Sequence, residues 1–307
     1  MIIRGNYADL FFETALPAIN AVLWQAFKKK PKMYDKLFSV ESSSRSIEQF
    51  TAVSGVGLFT EIPETGEVRF DQPVAGFNCT FKHKSFGLGV EFSKELIEDD
   101  KWAQVRRASA ELGNSADETT EIDAASTFNN AFSASFLGPD AVALCSTAHP
   151  LYKAGGTQTN TLAVAADLDV TSLEIALTDW ELTRKANGQL VRLPTPKLLV
   201  GANNRWNAHE MLKGQFRSDT ANHTVNAFKW GEDGAVDEIV VWPRISSGDA
   251  WFLVAPPASN GLVWFWRIKP ESHPIFDERT LRGGTWMRYR KSHGWNDFYG
   301  VYGSPGV

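Results

Sequence analysis

An α+β fold, with one long helix and several long strands, is what three stretches of this sequence predict. They are β-prone runs cut by Gly and Pro between residues 56 and 92, a helical pattern starting at Ser93, and alternating helix and strand patterns beyond Pro139. With 307 residues, 43% apolar and 22% charged, the chain has ample material for a core. Two cysteines exclude a disulfide framework and a four-thiolate zinc site. No run of about 18 uncharged apolar residues occurs, and Asp9 and Glu13 interrupt the apolar part of the opening segment. Neither a membrane span nor a cleavable leader is therefore expected, and a cytoplasm-like compartment is.

Along the chain, Leu10, Phe11, Leu16, Ile19, Val22, Leu23 and Phe27 lie near helical spacing, interrupted by Pro17 and ended by Lys28-Lys29-Lys30-Pro31. This predicts a kinked amphipathic arm that docks on a partner. Residues 42–49, polar and Ser-rich, read as a connector. Short β-prone runs follow at 56–62, 68–70, 77–81 and 86–92, with Pro63-Glu64-Thr65-Gly66 as the candidate turn, since Pro presets φ and Gly accepts a positive one. Few positions of this hairpin are apolar on one face, so it has no core of its own and must lean on something else. Ser93 is the expected N-cap of the long helix, and Glu95, Glu98, Asp99 and Asp100 suit its positive end. Ile97, Val105, Ala108 and Leu112 share a face, continued after Gly113-Asn114-Ser115 by Ala124, Ala125, Phe128, Ala131 and Phe132. If the glycine only bends it, residues 93–136 make a rod of roughly 60 Å, which a sheet or a neighbouring subunit must cover. Beyond Pro139, Thr171-Ser172-Leu173-Glu174 reads as a capping box opening a helix that runs to an Asn187-Gly188 stop. Residues 198–200, 236–242, 251–255 and 262–268 read as strands, 285–289 alternates, and 205–213 is a short helix closed by Gly214.

Eleven tryptophans, densest in the last third, are expected mostly in core and sheet packing, with stacking on sugars as the alternative. Cys145 and His149 are four apart, but Pro150 pushes His149 toward extended geometry, and residues 141–144 supply apolar neighbours that favour an inert thiol. His83, His209, His223, His273 and His293 show no paired spacing, Gly87-Leu88-Gly89 lacks the third glycine of a dinucleotide loop, and no phosphate-binding Gly-Lys-Ser/Thr occurs. Glu95, Glu98, Asp99 and Asp100 read as a solvated first turn, not a cation site. No cofactor and no metal is expected. Asn78 and Asn222 match a glycosylation acceptor pattern that means little without a secretion signal. The net charge of −5 disfavours binding to nucleic acid through a basic surface. Charge is uneven, however: residues 262–307 hold seven basic and four acidic side chains, residues 93–124 four basic and nine acidic, which suits contact between copies.

The order of parts, together with particular segments, resembles the major capsid proteins of tailed bacteriophages, the Hong Kong 97-type fold, and most of all the Mu-like major head subunits. Residues 61–70 and 76–92 resemble the family's extended loop, and Phe92-Ser93-Lys94-Glu95-Leu96-Ile97-Glu98-Asp99-Asp100 its entry into the spine helix. Phe128-Asn129-Asn130-Ala131-Phe132 and the stretch from Gly138 to His149-Pro150-Leu151 resemble the junction with the axial domain, and residues 294–304 the usual ending. Ala141 stands where a glycine is commoner and Cys145 where an aromatic is.

The resemblance implies an N-terminal arm (1–55), an extended loop (56–91), a spine helix and peripheral domain (92–139), an axial domain (140–261) and return strands with the C-terminal segment (262–307). It implies a structural protein, not an enzyme, whose copies form hexamers and pentamers of an icosahedral shell around double-stranded DNA. Glu61, Glu64, Glu67, Arg69, Lys82 and Lys84 are the candidate inter-subunit contacts. Covalent crosslinking, found in some members, is not carried over to Lys82 and Lys84, whose spacing shows no such chemistry. No long charged coiled segment precedes the arm, so a separate scaffolding protein is expected, with a portal, a decoration protein as a further candidate partner, and no membrane. The shell of a cargo-holding bacterial nanocompartment and a Trp-rich carbohydrate-binding phage module are the competing readings.

Overall fold

The structure is a computed structural model that describes residues 16–64, 66–93, 95–96, 99, 101–214, 226–229, 235–277, 279–280 and 282–307. Two four-stranded sheets and one long helix organise it. The first sheet has the order β1 (Ser39–Ser42), β10 (Leu262–Asp277), β11 (Arg282–Trp295) and β4 (Lys84–Ser93). β1 runs parallel to β10, and the other pairs are antiparallel. The second sheet has the order β12 (Val301–Ser304), β9 (Trp251–Val254), β7 (Lys197–Val200) and β8 (Ile239–Val241). Two small ribbons complete the strands: β2 (Ile47–Val53) with β3 (Ala75–Lys82), and β5 (His149–Pro150) with β6 (Thr157–Gln158).

The second sheet is buried on both faces, and strand alternation divides its side chains between two cores. Leu198, Val200, Trp251, Leu253 and Tyr302 face the helices α4 (Val170–Glu181) and α5 (Arg205–Lys213). Leu199, Val240, Phe252, Val254 and Val301 face the long helix α3 (Trp102–Asn129) and share a core with Trp264, Trp266 and Tyr289 of the first sheet. The helix therefore joins the two sheets through one continuous apolar cluster.

Helix α3 is shorter than its pattern predicts, about 42 Å for 28 residues. Ser93 closes strand β4, paired with Arg282, although its hydroxyl still accepts from the Leu96 amide as a cap would. Ile97, Glu98 and Asp100 lie outside the described residues. At the far end the helix stops at Asn129, and residues 130–136 turn so that the Cys145 amide donates to the Ala131 carbonyl.

The arm also departs from expectation. Residues 1–15, with Leu10 and Phe11, lie outside the described residues. Helix α1 is described over Leu16–Lys28 and includes Pro17. Ile19 and Leu23 are buried against the chain's own α3, not against a partner. Gly113 makes this possible, because a Cβ there would strike the Leu23 carbonyl. The joint is then locked by polar contacts: Lys32 bonds Asp117 and donates to the Phe27 carbonyl, and Glu121 accepts from the Met33 amide at 2.9 Å. A short helix, α2 (Tyr34–Leu37), places Tyr34 flat on Trp264 before the chain enters β1.

Elsewhere local rules decide the elements. Helix α4 is capped by Asp169, not Thr171: the Asp169 carboxylate accepts from the Ser172 amide and the Ser172 hydroxyl accepts from the Asp169 amide. It ends at Glu181. Asn187-Gly188 instead turns a small hairpin in which Arg184 bridges Leu190. Helix α5 matches the predicted 205–213 and its Gly214 stop. Of the described tryptophans, Trp180, Trp242, Trp251, Trp264 and Trp266 are buried, and Trp206 is the exposed one at 74%. Trp230 lies outside the described residues.

Candidate assembly surface

The expected hairpin of residues 56–70 is not formed. The described residues of 54–74 carry no strand, and the paired legs lie below them, β2 against β3. An isolated two-stranded ribbon is marginal in water, and nothing packs over this one beyond Val53 and Ala75. The runs 77–81 and 86–92 are not partners either. Only His83 separates β3 from β4, its ring held by Ser43 and Ser292 hydroxyls at 3.1 and 3.0 Å, and the chain changes sheets there. The turn at Pro63 does exist, closed by the Gly66 amide on the Pro63 carbonyl at 2.8 Å; Thr65 lies outside the described residues.

What the loop presents is apolar. Leu58, Phe59 and Phe70 are 82%, 105% and 91% exposed, with Ile62 and Val68 also uncovered. Glu61, Glu64, Glu67 and Arg69 stand exposed among them, and Lys82 and Lys84 stand exposed at the loop's base. None of the six makes an ion pair among the described residues. The structure thus gathers Glu61, Glu64, Glu67 and Arg69 on one projection and leaves Lys82 and Lys84 on the sheet below.

Sequence reasoning missed the residues that hold this projection. The Lys153 ammonium donates to the Gly55 carbonyl at 3.2 Å, the Gln72 carbonyl at 3.2 Å and the Asp71 carboxylate at 2.9 Å. Asp71 also accepts from the Gly57 amide at 2.6 Å, and Asn187 donates to the Val56 carbonyl at 2.9 Å. Hydrogen bonding to Lys153 and Gly57 holds the Asp71 carboxyl below the usual carboxylate range. These partners lie some 80 to 130 positions apart in sequence, so no local signal marks them.

Beneath the loop root lies a cavity of about 410 Å³ lined by Phe50, Phe77, Tyr152, Asp297 and Phe298 among others. Burial raises the Asp297 carboxyl to about 7, against the pull of the Phe298 and Tyr299 amides, and the charge of Asp140 adds to the rise. The fully buried His149 is structural. Its Nδ1 lies 2.6 Å from the Asp140 carboxylate, its Nε2 lies 3.1 Å from Asn160 Oδ1, and its ring stacks on Phe298 at 3.8 Å. Asn160 in turn donates to the Leu144 and Val301 carbonyls, tying this loop to β12. Cys145 sits in the apolar core, where burial pushes its thiol up and away from reactivity. Among the described residues, no group of three or more His, Cys, Asp or Glu is placed to hold a metal ion, and no helix is long and apolar enough to cross a membrane.

A long helix bridging two sheets, with an arm folded along it and a protruding loop, is the architecture of the Hong Kong 97-type capsid subunits. The structure superposes on the procapsid of bacteriophage JBD30 with a TM-score of 0.54 at 15% identity, covering 96% of this chain and 74% of that one. For the capsid of cyanophage P-SCSP1u the TM-score is 0.55 at 10% identity over 89% and 88%. For a virus-like particle from Pyrococcus furiosus it is 0.54 at 8% identity over 95% and 99%. At these identities the likeness shows the fold. The chain belongs to the phage capsid protein family, whose model matches residues 80–304. Its sequence has no match among curated proteins.

Proposed function

We propose that this chain is the major head subunit of a tailed phage, one whose copies assemble as hexamers and pentamers into an icosahedral shell around double-stranded DNA. Membership of a structural capsid family supports the coarse reading, and the loop carries the finer one. A monomer rarely leaves Leu58, Phe59 and Phe70 so bare on one projection, and covering each contributes about 1.5–3 kcal/mol. A neighbouring copy is the natural cover, since heterologous contacts between identical chains close rings. Glu61, Glu64, Glu67 and Arg69 then set register at the rim of that contact, with Lys82 and Lys84 beside it.

In this reading residues 1–55 act as arm, 56–91 as extended loop, 92–139 as spine and peripheral domain, 140–261 as axial domain and 262–307 as return strands. The segment ending His149-Pro150-Leu151 and the closing residues 294–304 favour the Mu-like group. A separate scaffolding protein, a portal and a decoration protein are the expected partners, with assembly in the bacterial cytoplasm and residence in the virion. The acidic balance of the chain suits a wall that encloses DNA without gripping its phosphates.

Negative-stain microscopy of the expressed protein tests the proposal. Closed polyhedral particles are expected, and a stable monomer at every salt and protein concentration overturns it. Nuclease-protected double-stranded DNA in particles from infected cells separates a phage head from a shell that holds protein cargo.

A further inference from the structure

We propose that Lys153 is the positioning residue of the loop, a clamp through which the body sets the angle at which residues 54–74 project. This inference rests on the assembly reading for its consequence, though not for its geometry. An ammonium has three hydrogens to donate, and all three are used here, on acceptors from both legs of one loop: Gly55 on the outgoing leg, Asp71 and Gln72 on the returning one. Two further bonds hold the legs to each other at the same level, Ser54 amide to Val74 carbonyl at 3.0 Å and Val74 amide to Ser54 hydroxyl at 2.9 Å.

The clamp is anchored on the body side. The Lys153 and Ala154 amides both donate to the Ala186 carbonyl, at 3.3 and 2.8 Å, and the next residue, Asn187, donates to Val56. The turn at 151–155 and the hairpin at 184–190 thus form one platform reaching the loop at two places. β3 also meets this platform at Tyr152, through Phe77 edge-on to its ring and through Gly76, where a Cβ would strike that ring. Without Lys153, Asn187 and Gln189 on the Val56 carbonyl are the platform's remaining hydrogen bonds to the legs. The loop then pivots about its root, and its apolar tip meets a neighbour over a range of angles instead of one.

Hydrogen–deuterium exchange on the full chain tests the clamp before assembly enters. In Lys153→Met, the Gly57 and Val74 amides are expected to exchange about tenfold faster, with α3 and β9 unchanged as the sign of an intact fold. Asp71→Asn, which leaves both carbonyl acceptors and lies outside every core, should give a smaller acceleration, about threefold. Particles of both variants should spread in diameter or fail to close, the lysine variant more so. Unchanged loop exchange in Lys153→Met overturns the clamp. Faster exchange with particles of wild-type diameter and yield overturns its positioning role. Failure of the wild-type chain to form particles sinks the assembly reading instead, and the exchange result still decides whether Lys153 holds the loop.

Discussion

The loop at 54–74 and the strand β9 are both rich in large apolar side chains, and they meet opposite fates. In β9 every residue from Trp251 to Val254 is buried, because α4 and α5 cover one face of its sheet and α3 the other. In the loop Leu58, Phe59 and Phe70 stand in solvent, because its legs are tied but no layer lies over them. Apolar composition therefore does not decide burial here; a second covering element does. Where the chain supplies that element itself, apolar residues make stability, and where it does not, they stay in solvent.

The largest effect that distinguishes the regions is expected from truncating one ring in each. Phe252 packs on Phe128 and Phe132 with ring centroids 5.3 and 5.5 Å away, so Phe252→Ala should cost about 3–5 kcal/mol and show as a large fall in the urea midpoint. Phe59→Ser should leave the isolated subunit within about 0.5 kcal/mol of wild type. Its effect should fall on particle yield, which drops. Equal destabilisation of the subunit by the two changes breaks the contrast, since the loop would then belong to the core.

Two aspartates sharpen it further. Asp71, exposed in the loop, is held below the usual carboxylate range by Lys153, and so favours the folded form at neutral pH and loses that contribution as pH falls through its depressed value. Asp297, half-buried on the wall of the cavity beneath the loop root, shifts the other way, to about 7. Between about pH 4 and 7 the folded chain holds a proton there that the unfolded chain has released, so this group's contribution to stability falls as pH rises through that window. Above it a charge remains on the poorly solvated cavity wall, with no ion pair to Asp297 among the described residues. Asp297→Asn keeps an oxygen for the Phe298 amide and removes the charge, so its stability relative to wild type should grow by on the order of 2 kcal/mol from pH 4.5 to pH 8. Urea unfolding at both pH values measures it, and parallel stability profiles for variant and wild type rule it out.

The same contrast explains what could be read from sequence. Helix α5 with its Gly214 stop and the strands β7, β8 and β9 of the second sheet were legible, because local periodicity and a layered core agree there, whereas β12 was not read as a strand. The spine was read too long at both ends, since Ser93 serves as strand end and partial cap together, and Ala131 and Phe132 keep helical spacing after the helix has turned away. Thr171 was favoured over Asp169 as a cap because the Ser/Thr-x-x-Glu pattern fits, whereas the box forms two residues earlier, where Asp169 and Ser172 satisfy each other's amides. The arm's amphipathic pattern pointed to docking on a partner, whereas Ile19 and Leu23 pack on the chain's own helix, where Gly113 admits the Leu23 carbonyl. Glu61, Glu64, Glu67 and Arg69 were picked from sequence as candidate inter-subunit contacts, but the loop's clamp was not legible: Lys153, Asp71 and Asn187 meet only in three dimensions, and nothing about a single lysine after a Pro-Leu-Tyr turn announces three acceptors.

One sequence departure has a measurable counterpart in the turn that carries Asp140, where Ala141 itself is exposed. Ala141, where a glycine is commoner in this family's resemblance, adopts φ 60° and is the one non-glycine residue among those described with positive φ. The turn is held by the Gly138 amide on the Val142 carbonyl at 2.7 Å and the Ala141 amide on the Gly138 carbonyl at 3.1 Å, and it carries Asp140 to His149. A left-handed backbone strains an L-residue with a Cβ by about 1–2 kcal/mol, while glycine gives up about 0.5–1 kcal/mol of unfolded-state freedom on folding. The balance favours Ala141→Gly by about 0.5 kcal/mol, a small rise in the urea midpoint with unchanged slope. A fall of the same size would mean that the Ala141 methyl stabilises the turn. No such gain is expected from a glycine placed at Phe59 or Phe70, where no positive φ is imposed.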